Sequence, residues 1–311
     1  MAGRLTSIPS SDLYDHDDSD NACFLCGRPR FTPYRENTHF GFPLRFQRCA
    51  CGLVKQTPMP NKQFFKWFFN SDIFMSSLRT KSDAIWGFYD YLKDEPCRLA
   101  TSQQRYKRLR KLFPQDRPIE ILKIGPSTGS FLHVANQHRD HAIGCDISSE
   151  FVEFASRHYG VRIDHGRFEE LGYHSGQFDM ILMLSVMENI PNPLQLLAEI
   201  HRTLKPGGRF VFNYVEMKHN VVAAIQKERY FLFRPPVTYI YHADVLERML
   251  VINGFKIDLN LPDMRYMHLE KMLTLISWNS AHLLFKKLRL SRLGFPVYAY
   301  PSRIIAASQV E

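Results

Sequence analysis

The stretch Glu120-Ile121-Leu122-Lys123-Ile124-Gly125-Pro126-Ser127-Thr128-Gly129-Ser130-Phe131-Leu132 constrains this chain more than any other. An apolar, β-prone run stops at a glycine, turns through small and rigid residues, and restarts as a helix. That is the strand–turn–helix of a nucleotide-type site. Gly125 and Gly129 can take backbone angles closed to other residues, so a ligand can come close to the main chain there. Seventeen residues past Gly129, the run His141-Ala142-Ile143-Gly144-Cys145 ends at Asp146. A carboxylate at that spacing belongs at the tip of the next strand, where it can hold two ribose hydroxyls. The turn is not a dinucleotide fingerprint, because Ser127 stands where the second glycine of G-x-G-x-x-G would let a pyrophosphate pack. A ligand without a pyrophosphate tolerates the serine. Taken alone, the turn also fits an ordinary tight connection in an α/β domain.

The remainder of the chain strengthens the α/β reading. From Arg117 onward strand and helix patterns alternate, as in a parallel sheet with crossovers. Residues 149–159 form an amphipathic helix stopped by Gly160, and 161–164 make a short third strand. Residues 178–184 make a fourth, and its end, Ser185-Val186-Met187-Glu188-Asn189-Ile190, should face the cleft. Pro193 starts a helix that Pro206-Gly207-Gly208 ends, and 209–212 form a fifth strand. Residues 295–300 and 303–307 suit closing strands. The expected fold class is α/β, a Rossmann-like, doubly wound, mostly parallel sheet over 117–311.

The cysteines divide the N-terminal part from this domain. Cys23-Phe24-Leu25-Cys26-Gly27 and, after 22 intervening residues, Cys49-Ala50-Cys51-Gly52 form two pairs, each followed by glycine. Thiolates of Cys23, Cys26, Cys49 and Cys51 converging on one centre would give a closed tetrahedral structural zinc site, and metal binding would then drive local folding. The second pair is C-x-C rather than C-x-x-C, which alters its bite; the competing reading is unligated thiols in a small module. Cys97 and Cys145 read as ordinary buried residues. Residues 1–21 are polar, acidic at their end, and read as a disordered tail. Residues 22–60 form the zinc module and 61–116 a helical linker or cap, rich in aromatics at 64–69 and 85–89 and basic over 103–112.

At 311 residues, with 45% hydrophobic and 23% charged residues, the chain can bury a full core and reads as globular. No apolar run approaches the ~20 residues of a membrane helix, and no secretory pattern opens the chain, so a cytoplasmic location is expected. A net charge of +9 permits an acidic partner without demanding one. The basic, amphipathic segment 270–293 reads as a lid or subunit contact in preference to a membrane-surface helix.

Here a resemblance becomes specific. Phe178-Asp179 with Ile181, then Glu188-Asn189-Ile190-Pro191-Asn192-Pro193, then Lys205-Pro206-Gly207-Gly208-Arg209-Phe210 resemble the class I S-adenosylmethionine-dependent methyltransferases. Tyr241-His242-Ala243-Asp244 and Gly254-Phe255-Lys256-Ile257 continue the match. The cysteine pairs, with Gly52-Leu53-Val54 and Pro58-Met59-Pro60, look like the zinc-ribbon-bearing branch, whose members often modify sugars or other small metabolites. The resemblance implies that Gly125, Ser127 and Gly129 contact the methionine part of the cofactor and that Asp146 holds its ribose. It places Ile147 and Phe168 beside the adenine, and Leu184 and Ser185 beneath the sulfonium.

Three departures from the family pattern stand out. Lys123 occupies a position that is usually acidic and helps bind the cofactor's ammonium group, which a cation there would repel unless it points elsewhere or is paired. Asn189 and the Pro235-Pro236-Val237-Thr238 stretch lack histidines common in the family. The remaining candidates for a catalytic base are His219, Tyr214 and His242, with Glu216 and Glu188 as further carboxylates. The function expected is methyl transfer to a small molecule, such as a sugar or nucleotide-sugar. The alternatives are an RNA methyltransferase, disfavoured by the lack of an Asn/Asp-Pro-Pro-aromatic motif after the fourth strand, and a non-catalytic binding module. Oligomeric state is not legible in the sequence.

Overall fold

The computed structural model describes residues 11–15, 22–39, 42–71, 74, 91–218, 220–227, 230–268 and 294–310. The N-terminal module is an antiparallel sheet of Phe31–His39 (β1), Phe42–Cys49 (β2) and Val54–Thr57 (β3). Its fourth strand is Tyr239–Ile240, contributed from far along the chain and paired with β3. Cys23, Cys49 and Leu53 belong to the same apolar cluster as Tyr241, Leu246 and Met249. The module is therefore stitched to the main domain through both backbone and core.

Lys62–Asn70 (α1) starts at Asn61, whose side chain accepts from the N–H groups of Gln63 and Phe64. It buries Phe64, Phe65 and Phe68 against Phe74 and Phe151, each burial contributing roughly 2–3 kcal/mol. Glu95–Arg110 (α2) begins eight residues earlier than the basic run suggested, with a proline in its first turn. Arg105 and Arg110 bind buried carboxylates, Asp263 and Asp140. Arg108 donates to the Pro262 carbonyl, so the three arginines of this face are anchored to the main domain.

The main sheet follows the alternation expected, built from Glu120–Ile124 (β4), His141–Asp146 (β5), Ile163–His165 (β6), Phe178–Met183 (β7), Leu204–Val215 (β8), Phe255–His268 (β9) and Gly294–Gln309 (β10). Their order is β9-β10-β8-β7-β4-β5-β6, with β10 antiparallel to both neighbours and the pairs β8–β7, β7–β4, β4–β5 and β5–β6 parallel. The mostly apolar and almost continuously buried strands β4 and β7 take the centre, covered on both faces. Crossovers are made by Ser130–Gln137 (α3), Ser149–Tyr159 (α4) and Pro193–Thr203 (α5), and Ala243–Ile252 (α6) precedes β9.

Two expectations change. The Pro206-Gly207-Gly208 segment lies inside β8 as a register irregularity between Leu204 and Arg209, since α5 has already ended at Thr203. The two closing strands are one continuous strand, β10, long enough to pair with both β8 and β9. The segments 1–10, 75–90 and 269–293 lie outside the described residues. Among the described residues no helix is long and apolar enough to cross a membrane.

Candidate active site

The carboxyl ends of β5, β4 and β7 are neighbours, and a cavity of about 480 Å³ opens beyond them. Its floor is the turn after β4. Gly125, Ser127 and Gly129 have φ of 63°, 56° and 87°, so Ser127 holds a left-handed conformation that a non-glycine residue adopts at a cost of about 1–2 kcal/mol. A Cβ on Gly125 would meet Val186 Cγ2 at 2.7 Å. The Ser127 hydroxyl is buried without a partner and lines the cavity.

Asp146 fixes the next wall. One carboxylate oxygen accepts from the Ser148 N–H at 3.0 Å and the other from the Ser127 N–H at 3.4 Å, which leaves lone pairs for a ligand. Burial pushes its carboxyl up to about 6, against the lowering effect of those N–H groups. Asn70 of α1 donates to the Ile147 carbonyl at 3.1 Å and accepts from the Ser149 N–H at 3.2 Å, which sets Ile147 at the rim. Ile147, Phe168, Leu184 and Ser185 all line the cavity, with Phe65 and Phe69 of α1 above.

Lys123 does not point away. It is 6% exposed, lines the cavity and donates to the Gly125 carbonyl at 3.1 Å. Burial drives its ammonium down to about 7, helped by Arg105 and Arg98 and opposed by Asp146.

The far end of the cavity is built by the loop after β7. The Ser185 N–H donates to Asn213 Oδ1 at 2.5 Å, and Asn213 donates to Ser302. Ser302 in turn donates to Asp263, which Arg105 grips with two nitrogens at 3.0 and 2.6 Å. Against the cost of burial, Arg105 and Arg265 hold the Asp263 carboxyl down to about 2. Glu188 sits in this wall, 6% exposed and lining the cavity, and burial raises its carboxyl to about 7. Phe231, Leu232, Arg234, Pro235, Pro236 and Val237 line the same cavity.

Other expected site residues lie elsewhere. Gly129 is the N-cap of α3 and does not line the cavity; a Cβ there would meet Ala155 and Val161 at 2.9 and 3.0 Å. Tyr214 is 1% exposed within the apolar cluster and is absent from the cavity wall. His242 also stands outside it, with Nδ1 3.0 Å from Glu216 Oε1. Glu216 accepts from the Ala243 N–H at the start of α6, and despite burial His242 and the N–H groups of Lys218 and Ala243 hold its carboxyl down to about 2. His219 lies outside the described residues.

The sulfur atoms of Cys23, Cys26, Cys49 and Cys51 all lie within 4.8 Å of one another, with Cys23–Cys51 at 3.6 Å and Cys26–Cys49 at 3.5 Å. Bond lengths of ~2.3 Å in a tetrahedral zinc–thiolate site put its sulfurs ~3.8 Å apart, so the four thiols fit a structural zinc ion. The backbone prepares each pair. Cys26 and Gly27 donate to the Cys23 carbonyl, and Gly52 donates to that of Cys49.

Residues 122–212 match the family model described as a methyltransferase domain. That likeness runs from β4 into β8. A ubiquinone/menaquinone biosynthesis C-methyltransferase of Bradyrhizobium diazoefficiens is 31% identical over 115 residues, which cover 33% of this chain and 46% of that one. An uncharacterized protein of Methanocaldococcus jannaschii is 28% identical over 149 residues, 48% of this chain and 68% of that one. The crystal structure of magnesium protoporphyrin IX methyltransferase from Synechocystis PCC 6803 with bound SAH shares the fold, with a TM-score of 0.52 and 16% identity over 80% of this chain and 100% of that one. The chain spans about half the length of the named methyltransferases it matches in sequence. The cavity lies at the carboxyl ends of the central strands, where open α/β sheets bind their ligands.

Proposed function

We propose that the protein transfers a methyl group from S-adenosylmethionine to a hydroxyl or similarly ionisable group of a small acceptor with an apolar ring. One observation carries the reading: a single cavity holds both Asp146 with the unpartnered Ser127 hydroxyl at one end and the buried carboxyl of Glu188 at the other. Bound there, S-adenosylmethionine would supply an electrophilic methyl group on a sulfonium.

The residues have separable tasks. Asp146 accepts from the ribose hydroxyls, Ile147 and Phe168 flank the adenine, and Gly125 and Ser127 bring the main chain against the tail. Leu184 and Ser185 shape the passage between cofactor and acceptor. Glu188, with a carboxyl near neutrality, would take the acceptor's proton as the bound cofactor supplies the methyl group. Phe231, Leu232, Pro235, Pro236 and Val237 cover the acceptor and exclude water. Zinc on the four cysteines would hold the N-terminal sheet in shape, away from the chemistry.

The rings and aliphatic groups of Phe231, Leu232, Pro235, Pro236 and Val237, interrupted by Arg234, offer a ring compound more apolar contact than a sugar or nucleotide-sugar could use. Relatives named for ubiquinone and menaquinone biosynthesis are consistent with such a ring. The test is formation of S-adenosylhomocysteine from S-adenosylmethionine with panels of hydroxylated aromatic compounds and of sugars. Turnover confined to the first panel supports the reading; turnover confined to sugars overturns its acceptor half.

A further inference from the structure

The cofactor tail has to lie over Lys123. A ribose held by Asp146 at the tip of β5 and a methyl group aimed at Leu184 and Ser185 beyond β7 put the intervening atoms over β4, the strand between them. The tail carries an ammonium and a carboxylate. Arg98 and Arg105 of α2 line the cavity close enough to act on Lys123. Arg98, whose buried Nε has no partner, suits the carboxylate, while Arg105 is held by Asp263. The ammonium needs an acceptor, and the Gly125 carbonyl is already taken by Lys123 at 3.1 Å.

We propose that Lys123 and the cofactor's α-ammonium compete for the Gly125 carbonyl, so that the cofactor binds the form of the protein in which Lys123 is an uncharged amine. The proton leaves Lys123 for solvent as the cofactor enters, and the freed nitrogen lone pair accepts from the incoming ammonium. The inference rests on the reading that this cavity holds S-adenosylmethionine.

The surroundings make the uncharged form accessible. Lys123 is buried at the end of β4, and the charged groups facing it are Arg98 and Arg105 from α2 and Asp146 from β5, with the buried Cys145 thiol beside Asp146. On the β9 side, the Asp263 carboxylate is shared between Arg105 and Arg265. Burial first, and then two guanidiniums against the one facing carboxylate of Asp146, disfavour a further cation, and the Lys123 pKa of about 7 places the exchange within the physiological range.

The experiment is titration calorimetry of the zinc-loaded protein at pH 6, 7 and 8, in buffers of different ionisation enthalpy. The probes are S-adenosylhomocysteine and 5′-methylthioadenosine, which keeps the ribose but lacks the ammonium and carboxylate. Because both probes meet Asp146, its titration affects them alike, and the ratio of their affinities isolates Lys123. The ratio should favour S-adenosylhomocysteine about tenfold more at pH 8 than at pH 6, with about half a proton released at pH 7. In Lys123→Met the ratio should be flat, and Lys123→Glu should bind S-adenosylhomocysteine more tightly than the wild type at pH 6. A ratio independent of pH in the wild type, or a slope kept by Lys123→Met, overturns the proposal. Binding of neither probe at any pH overturns the cofactor reading beneath it.

Discussion

Thr238 holds Glu188 in place with both of its donors: its N–H reaches the Glu188 carbonyl at 2.7 Å and its hydroxyl reaches the same oxygen at 2.8 Å. The hydroxyl also lies 3.1 Å from the Ile190 carbonyl. The cover formed by Pro235, Pro236 and Val237 is thus tied to the loop that carries the proposed base.

Glu188→Gln keeps the shape of this wall and removes the base. It should lower kcat by about 10²–10⁴-fold on an acceptor that loses a proton, with S-adenosylhomocysteine affinity nearly unchanged. The wild-type kcat should rise with pH through about 7, as the Glu188 carboxyl ionises. Steady-state kinetics across pH 5.5–8.5 check both. A variant with wild-type kcat and the same pH profile would remove Glu188 from the chemistry.

Gly129→Ala separates folding from binding. Gly129 has φ 87°, and an added Cβ would press on Ala155 and Val161, so a loss of roughly 1–3 kcal/mol is expected in a denaturant melt. Because Gly129 is not part of the cavity wall, the cofactor affinity of the folded fraction should change little. A large loss of affinity at unchanged stability would return Gly129 to the ligand-contacting set.

This last residue shows where sequence reading stops. The succession of strands along the chain, the turn after β4 and the place of Asp146 at the end of β5 follow from apolar runs and their punctuation, which are local signals, whereas Ile147, Phe168, Leu184 and Ser185 came from the family resemblance. Gly129 was legible as a glycine that the turn requires, but the helix packing that demands it comes from Ala155 and Val161. Tyr214 ends a strand buried on both faces, so alternation gave no direction for its ring. His242 looked catalytic from its place before α6, yet it meets Glu216, which caps that helix. Glu188 was visible as a carboxylate in an apolar loop at a strand tip. Its burial depends on Pro235–Val237, brought over it from about fifty residues away. Asn213 gave little signal, being one polar residue at the end of an apolar stretch of β8. The one hint was that it must find partners when buried, and it does so in Ser185 and Ser302.

Lys123→Met should stabilise the folded chain. The Lys123 pKa drops from 10.5 to about 7 on folding, so between those values the unfolded chain holds the proton and the folded chain does not. Stability contributed at this site therefore rises with pH across that window, and the cost of burial, at most about 4–5 kcal/mol, is fully present below about 7. Urea melts at pH 7 and pH 10 should show the variant's advantage shrinking at the higher pH. An advantage of the wild type at both would contradict this account.

Removing metal should act on stability. The four cysteines predict one zinc per chain by elemental analysis, and stripping it should lower Tm through loss of the N-terminal sheet, which carries Tyr239–Ile240 and through it the cover over Glu188. Cys49→Ser should do the same. A metal-free protein with unchanged Tm would contradict the assignment.

The central claim is that Asp146 and the turn after β4 hold an adenosine-bearing cofactor, and it is tested most directly by titrating S-adenosylhomocysteine into the zinc-loaded wild type and Asp146→Ala at pH 8. The account predicts one site per chain in the wild type and affinity at least about tenfold weaker in the variant, the loss of charge-assisted hydrogen bonds to the ribose. No binding to the wild type, or equal binding by the two proteins, would contradict it.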